Sequence, residues 1–564
     1  MTLPKPLWVQ SDGTLLLDER HPDHEETRKF LREIAELHKR PGAWHTYRFT
    51  PVTLWNAAAA GWSSERVLQS LALCSRNPLP KQIEDLIRTY MDRYGQIRLV
   101  TGDGGLKLIA ATPELMDRLR GMETIGPILG TLPETESSDT IALVASECRG
   151  TVKRELAARG YPVKDEAGFH AGERLEIELR TETASGGPVI VRDYQADAVE
   201  ALLGEAAMDG GSGIVVLPCG AGKTWVGLAA LARLRCETLI LTPNGVSVSQ
   251  WIAELLKNTT LTEADVGEYT GRAKNVKPVT VATYQVLTHR RSKEESYPHL
   301  QLFVNRDWGL IIYDEVHLLP APVFRITADI QATRRLGLTA TLVREDGREG
   351  DAFALIGPKR YEMPWKTMES QGWIARASCT EVRVPLDSRT ASDYTAAPKR
   401  SRHRIAGENP VKAEVVKALL RRHIGTPTLV IGQYLDQLHA LSKELSLPLI
   451  TGAMPHRSRK RLFDRFNDGE IDVLLVSKVA NFAVDLPDAA IAIQVSGSYG
   501  SRQEEAQRLG RILRPKRNGT EASFYSLVSE GTDEVEFSRN RGRFLLEQGY
   551  PYSVDRWQGE ETRI

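Results

Sequence analysis

The chain has 564 residues, 41% of them apolar, which at about 150 residues per domain predicts three to four domains with ordinary cores. Its 73 basic and 73 acidic residues cancel to a net charge of zero, which excludes a general field drawing it to nucleic acid; any such binding must come from local grooves. No run of 18 apolar residues occurs and Asp12 and Asp18 precede any apolar stretch, so neither a membrane span nor a secretory leader is expected.

Residues 1–133 read as an accessory domain. Glu26–His38 is predicted as an amphipathic helix with Phe30, Leu31, Ile34 and Leu37 on one face. Helices are expected over Val52–Ala60, Ser63–Leu73 and Lys81–Met91, then a strand at Gln96–Val100. Trp55 and Trp62 suit a core better than a stacking platform for nucleic acid. Gly126–Ser138, rich in Gly, Pro, Ser and Glu, is a linker. Residues 134–183 offer a small module: strand Ile141–Ala145, helix Val152–Arg159 and strand Arg174–Leu179.

A larger strand–helix domain is expected over 184–365. Ser212–Leu217 is a short, β-branched apolar run, hence a buried strand. Pro218, Cys219, Gly220, Ala221 and Gly222 then make a tight loop, and Lys223–Leu234 has helical periodicity. Such a unit aims backbone N–H groups and a helix N-terminus at the phosphates of a nucleotide. Lys223 would reach the β and γ oxygens of ATP, and the Thr224 hydroxyl would ligate Mg²⁺. Leu217 stands where the commonest phosphate loop opens with glycine, so this loop should differ from that of the small GTPases; an ordinary strand–turn–helix is the bland alternative. Five cysteines (Cys74, Cys148, Cys219, Cys236, Cys379) lack any CxxC or metal spacing and suggest reduced thiols in a cytosolic compartment; Cys219 reads as a small loop-filling residue.

Trp308–Tyr313 is a second buried strand and delivers Asp314 and Glu315 at its C-terminal end, where open α/β sheets place their ligands. Asp314 would hold Mg²⁺ through water, and Glu315 would orient and deprotonate the attacking water. Thr339-Ala340-Thr341 follows as a coupling motif.

A second domain over 366–564 repeats the rhythm without a phosphate loop: Thr428–Gly432, Pro448–Gly452, Val473–Ser477 and Ala490–Val495 are strands separated by helical runs, which implies a parallel sheet. On a helix from Ser501, Gln507, Arg511 and Arg514 share one face and Leu509, Ile512 and Leu513 supply the apolar side. Arg511 and Arg514 suit arginine fingers; a solvated basic face, or one that binds DNA phosphate, is the alternative. A single phosphate-loop domain has no use for an arginine motif almost 300 residues away. The order of motifs implies two stacked nucleotide-handling domains, the layout of a helicase or translocase motor.

LPCGAGKT (Leu217–Thr224), YDEVHLLPAPVFR (Tyr313–Arg325), LGLTATLVREDG (Leu336–Gly347) and EEAQRLGRILRPK (Glu504–Lys516) together resemble the XPB family of superfamily-two DNA helicases, a subunit of TFIIH in its best-known setting. Arg344-Glu345-Asp346, the RED motif, discriminates better than Asp-Glu-Val-His. Pro6–Leu17, Tyr47–Gly61, Tyr94–Val100, Phe524–Ser529 and Glu547–Tyr552 are XPB-like as well, so nearly the whole chain is covered. The departures are a chain shorter than the eukaryotic members and Gly347 in place of a further acidic residue.

The resemblance implies an α/β protein: two RecA-like parallel-sheet motor domains, α+β N-terminal accessory domains, and a small helical thumb inserted at 387–409. It implies ATP and Mg²⁺, a DNA fork or damaged duplex as substrate, 3′ to 5′ polarity with modest strand opening, and residues 134–183 as a damage-recognition module. Arg192 and Gln195 resemble an adenine-reading motif. Thr242-Pro243-Asn244 with Gln250-Trp251, Thr270-Gly271 and Thr283-Tyr284 resemble motifs that grip the DNA backbone, and Ser477 with Asp485 resembles one that touches DNA and ribose. Lys399 and Arg400 open the basic run Lys399–Arg404 of the thumb, a run that by composition alone equally suits a solvated loop or a nuclear targeting signal. Arg344, Glu345 and Asp346 would contact the accessory region or the fork, against the plain reading of a solvated strand exit. A monomer, a nuclease or repair partner, no membrane, and a cytoplasmic place at a bacterial or archaeal nucleoid complete the expectation. Two other functions fit the same residues: a double-strand DNA translocase that never separates strands, and a damage-binding scaffold whose ATPase switches affinity.

Overall fold

The computed structural model describes residues 5–39, 43–102, 105–131, 138–145, 148–167, 171–182, 188, 191–203, 212–289, 298–303, 306–318, 334–340, 349–477, 489–497, 508–510, 512–513, 521–547, 550 and 552–559. The chain divides into two compact units, one of residues 1–217 and 222–362, the other of residues 218–221 and 363–564.

The first unit opens on an antiparallel sheet of β1 (Leu7–Val9), β2 (Thr14–Asp18), β3 (Glu36–Lys39) and β4 (Trp44–Arg48) in the order β1-β2-β4-β3. Alternation along these strands buries Leu7, Val9, Leu15, Leu17 and Tyr47 against Leu31, Ile34, Leu54, Val67, Leu71, Ile83 and Ile87 of four helices. One expected helix is shorter than its periodicity. It spans His24–Ile34, Ala35 turns to extended backbone, and Glu36–Lys39 becomes β3, with Leu37 opposite Tyr47. Pairing with β4 satisfies those backbone groups at long range and overrides the local helical pattern. The other three helices form over Pro51–Ala59, Ser64–Cys74 and Lys81–Met91.

A second sheet joins β5 (Ile97–Gly102), β6 (Gly105–Ala110), β7 (Leu129–Gly130), β8 (Ile141–Val144) and β9 (Val163–Asp165) in the order β7-β8-β6-β5-β9. The boundary expected at 133/134 therefore cuts through one sheet. Two pieces that each lack a second face to bury have merged around Leu99, Leu108, Met116, Ala142, Val152 and Leu156. Helix Arg149–Ala158 is fixed to β9 by a buried ionic cluster, in which Asp165 accepts from Arg149 at 2.7 and 2.9 Å and from Lys153 at 2.8 Å. Burial pushes the Asp165 carboxyl up, but Lys153 and Arg149 outweigh it and hold it well below the usual carboxylate range.

Arg174–Leu179, expected as a strand of that module, is a clasp on the larger sheet instead. Its flanks make isolated pairs, Arg174 with Cys236 and Leu179 with Thr259, supported by Leu175 N–H to Arg235 C=O and Arg180 N–H to Asn258 C=O, both 2.9 Å.

The large sheet of this unit contains β10 (Gly213–Val216), β11 (Thr238–Thr242), β12 (Val266–Tyr269), β13 (Val279–Thr283), β14 (Leu310–Asp314), β15 (Arg334–Thr339) and β16 (Lys359–Glu362), all parallel, in the order β12-β13-β11-β14-β15-β10-β16. β10, β11 and β13 are buried along their full length, which is why they read as unbroken apolar or β-branched runs. The accessory elements grip the end of this sheet. Phe353 lies between Trp55 and Tyr94, with ring centroids 5.7 and 6.5 Å away, and the Lys359 N–H donates to Asn56 Oδ1 at 2.9 Å. Trp55 is thus core, and Trp62 packs partly buried on Phe30.

The second unit carries another seven-stranded parallel sheet: β17 (Ala377–Val384), β18 (Thr428–Ile431), β19 (Leu449–Ile450), β20 (Val473–Val476), β21 (Ile491–Gln494), β22 (Ala522–Ser529) and β23 (Tyr552–Arg556), ordered β19-β20-β18-β21-β22-β17-β23. Four of these match the expected strands. β17 was masked by its polar alternation: Glu381 is buried within it and accepts from Tyr552 Oη at 2.5 Å and from Ser538. The 387–409 insertion is two helices, Ser388–Ala396 and Lys399–Gly407. Beneath them Lys412 and Glu534 form a buried ion pair at 2.8 Å.

Candidate nucleotide-hydrolysis site

β10 and β14 end on the same edge of the large sheet, separated only by β15, so the loop after Leu217 and the acidic pair after Tyr313 are brought together by topology. Leu217 N–H donates to Thr339 C=O at 3.0 Å and ties the start of the loop to the end of β15. Gly220 and Gly222 have φ of +81° and +74°, the left-handed region that glycine enters without strain. At Gly222 a Cβ would also stand 2.5 Å from Gln195 Nε2. Helix Lys223–Leu234 begins directly there, with Gly222, which has no side chain to accept from its first N–H groups, as its cap, an arrangement that favours an anion.

Lys223 Nζ lies 3.4 Å from Glu315 Oε1, both side chains mostly buried, so the cation after the glycine loop and the carboxylate after β14 face one another. Glu315 itself has φ +48°, unusual for a residue with a side chain. Burial, and then the neighbouring Glu315 carboxylate, push the Asp314 carboxyl up to about 6, against the opposing pull of Trp251 and Lys223. Mg²⁺ fits this donor set in chemistry: a hard cation takes oxygen ligands, and the Asp314 carboxylate and the Thr224 hydroxyl, in the first turn of the helix after the glycine loop, are oxygen donors.

Three positioning residues surround the pair. Trp251 Nε1–H donates to Asp314 Oδ2 at 3.0 Å, Tyr284 Oη–H donates to the Asp314 carbonyl at 2.7 Å, and His317 Nδ1 lies 2.8 Å from Thr339 Oγ1 and 3.4 Å from Glu315 Oε2. Trp251 and Tyr284 were expected among backbone-gripping motifs; the structure turns both inward onto Asp314. The helical spacing Val248, Trp251, Leu255 on Gly245–Asn258 is the signal that marks Trp251 as core-facing. His317 joins the Asp-Glu-Val-His string to the Thr-Ala-Thr string through one imidazole.

Gln195 is buried, accepts from the Arg192 N–H at 3.0 Å, and its Nε2 lies 3.5 Å from the Gly222 carbonyl, so the glutamine motif touches the phosphate loop directly. The backbone-gripping candidates divide. Thr242 is fully buried and its hydroxyl donates to Asn244 and Ala282 carbonyls at 3.2 and 3.3 Å, so its side chain is committed internally. Thr283 caps helix Tyr284–Thr288 through Val286 N–H at 3.3 Å. Thr270 donates to Glu268 at 2.7 Å, while Gly271 beside it has open space where a side chain would be. Pro243 follows Thr242 half-buried, and in the second unit Ser477 is buried, its N–H donating to Ile450 C=O at 3.0 Å. Lys399 and Arg400 are exposed in the first turn of their helix, where the helix dipole disfavours cations. Gln507, Arg511, Arg514, Asp485, Thr341, Arg344, Glu345 and Asp346 lie outside the described residues. Between the first of them, Leu509, Ile512 and Leu513 are buried as expected of the apolar side, and buried Arg508 donates to Gln494 at 2.6 Å.

Three family profiles match the chain: ERCC3/RAD25/XPB C-terminal helicase at residues 368–561, type III restriction enzyme res subunit at 189–344, and a helicase conserved C-terminal domain at 7–132, which here covers the N-terminal elements. The chain is 51% identical to the DNA 3′-5′ helicase XPB of Kineococcus radiotolerans, across 97% of this chain and 96% of that one. It is 50% identical to the protein of the same name from Mycobacterium tuberculosis, across 97% of both. It is 32% identical to the yeast general transcription and DNA repair factor IIH helicase/translocase subunit XPB/SSL2, across 98% of this chain and 72% of that one. At half-identity over almost the whole of both sequences, the chain belongs to the XPB family of DNA 3′-5′ helicases.

Proposed function

We propose that the protein is an ATP-dependent 3′ to 5′ DNA motor that opens duplex at forks or damage in the cytoplasm of a prokaryote, acting at the nucleoid with a nuclease or other repair partner. The observation that carries this reading is the convergence of Lys223, Glu315 and Asp314 at one sheet edge, with Trp251, Tyr284 and His317 fixing them. The loop N–H groups and Lys223 bind and orient the phosphates of ATP, and Glu315 holds the attacking water and takes its proton. Thr224 and Asp314 would hold Mg²⁺, which would supply charge neutralisation to the phosphates. Arg511 and Arg514 complete the charge balance on the transferring group, and His317 relays the state of Glu315 to the strand that leads into Arg344–Asp346. Lys399 and Arg400 fit duplex phosphate, because their place at a helix start earns nothing from folding. The second reading, translocation without strand separation, is favoured by the name helicase/translocase of the yeast relative. Unwinding of forked DNA measured beside triplex displacement tests both. Unwinding that requires ATP and Glu315 supports the first; displacement without unwinding supports the second; neither activity removes both.

A further inference from the structure

The N-terminal sheet buries one face against its helices; on the other, Trp8 and Arg48 are exposed, Leu16, Trp44 and Thr46 are half-buried, and Thr14 and Asp18 are buried. Register places Trp8, Leu16 and Thr46 side by side across β1, β2 and β4 on that outer face, with Asp18 and Trp44 in the next row and Thr14 and Arg48 in the row beyond. Trp8 is 46% exposed, among the few large apolar side chains so open to water in the described residues. Arg20 and Arg76 both pair with the nearly buried Asp18, at 2.9 and 3.2 Å, and both guanidiniums lie over the Trp44 ring, 5.6 and 5.7 Å from its centroid. The carboxylate is therefore covered, and the groups open to solvent here are the Trp8 indole and the Arg20 guanidinium, with Arg76 mostly buried. Arg48 is exposed, lies opposite Glu36 on β3 and acts electrostatically on Asp12, so the positive charge open to solvent centres on Arg20. From strand spacing and rise, the two tryptophans stand about 12 Å apart across the sheet.

We infer that this outer face is a binding platform for single-stranded DNA. Trp8 supplies an open ring for a base, and Arg20, held over Trp44 with its side chain two-thirds exposed, supplies a cation for an adjoining phosphate. A protein partner of ordinary kind would want a continuous apolar patch, and here Thr14, Asp18 and Thr46 interrupt it. No ATP motif falls on β1–β4, so the site is distinct from the motor; the choice of DNA over RNA rests on the motor reading.

The test uses the full chain without nucleotide and an oligothymidylate carrying 5-iododeoxyuridine, with photocross-linked peptides identified by mass spectrometry and affinity followed by anisotropy. Cross-links are expected in peptides containing Trp8 or Trp44. Trp8→Ala should weaken the Trp44 cross-link and the affinity of this site by about 5- to 150-fold, while Trp8→Phe retains most of it. Arg20→Gln should lower the salt dependence of the same cross-link by about one ion. Basal ATPase should be unchanged in all three variants. Cross-links confined to residues beyond 190, with Trp8→Ala binding as wild type, would overturn the platform and leave the motor reading standing. A Trp8→Ala effect on sedimentation but not on cross-linking would make the face an interface between copies of the chain and also overturn it.

Discussion

Glu315 holds its backbone at φ +48°, a conformation that costs a residue with a side chain on the order of 1 kcal/mol. Its side chain lies 3.4 Å from both Lys223 and His317, and strain of this kind clusters where geometry serves chemistry. Glu315→Gln should keep ATP binding and reduce hydrolysis by at least about 100-fold, since the water loses its base while the phosphate cradle stays. Lys223→Ala should lose binding and hydrolysis together. Single-turnover assays with nucleotide-binding titrations separate the two; hydrolysis by Glu315→Gln near the wild-type rate would remove it as the base. Trp251→Phe keeps the core filled but deletes the N–H on Asp314, and should raise the Mg²⁺ concentration for half-maximal ATPase by about 10- to 100-fold. An unchanged Mg²⁺ titration would reduce Trp251 to packing. The residues that carry charge in this site were legible because the chemistry dictates their types. Trp251, Tyr284 and His317 were not assigned their roles, because an orienting hydrogen bond can come from any side chain that tertiary packing delivers.

Elements show where local pattern loses to pairing. β10 and β14 announced themselves as apolar runs, since a strand covered on both faces has no polar positions to hide it. β3 and β17 did not, because one completes a sheet edge inside a helical pattern and the other buries a glutamate on hydrogen-bonding partners. The Arg149–Lys153–Asp165 cluster gives a pH signature at this scale. Asp165 titrates below its unfolded value near 4. Its contribution is therefore full above about pH 5 and drains away as pH falls through the unfolded pKa toward the folded one. Asp165→Asn should cost about 3–5 kcal/mol at neutral pH, by leaving Arg149 and Lys153 buried without their anion, and should flatten the acid limb of a denaturation series. An acid limb of unchanged steepness in the variant would place the cluster's weight elsewhere.

At the scale of the whole chain, the order of motifs was enough to announce two nucleotide-handling sheets, yet the seam between accessory and motor elements was not. Helix Glu349–Leu355, three residues after Asp346, packs on helix Arg149–Ala158, and Phe353 sits between Trp55 and Tyr94. The charged trio is thus followed at once by a segment the accessory elements hold. Changing Arg344, Glu345 and Asp346 together to Ala should leave ATPase stimulated by single-stranded DNA largely intact while unwinding of a fork falls sharply. Equal loss of both would assign the trio to the ATP site; no loss would leave a solvated strand exit. Arg514→Ala, with Arg511→Ala beside it, should lower turnover on the order of 1000-fold with little change in ATP affinity. Intact ATPase with weak DNA binding would make that helix face a phosphate grip instead.

The hydrogen bond from Lys359 to Asn56 spans 303 positions of sequence to close the edge of a motor sheet. A lineage that recombined this gene near residue 184 would inherit a sheet with an uncapped edge strand, a bare Phe353 and no clasp at 174–179, an invitation to aggregate. The motor and its N-terminal elements are in that sense a single heritable unit, and exchange of accessory regions between relatives should survive only where Asn56 and the Phe353 socket travel together.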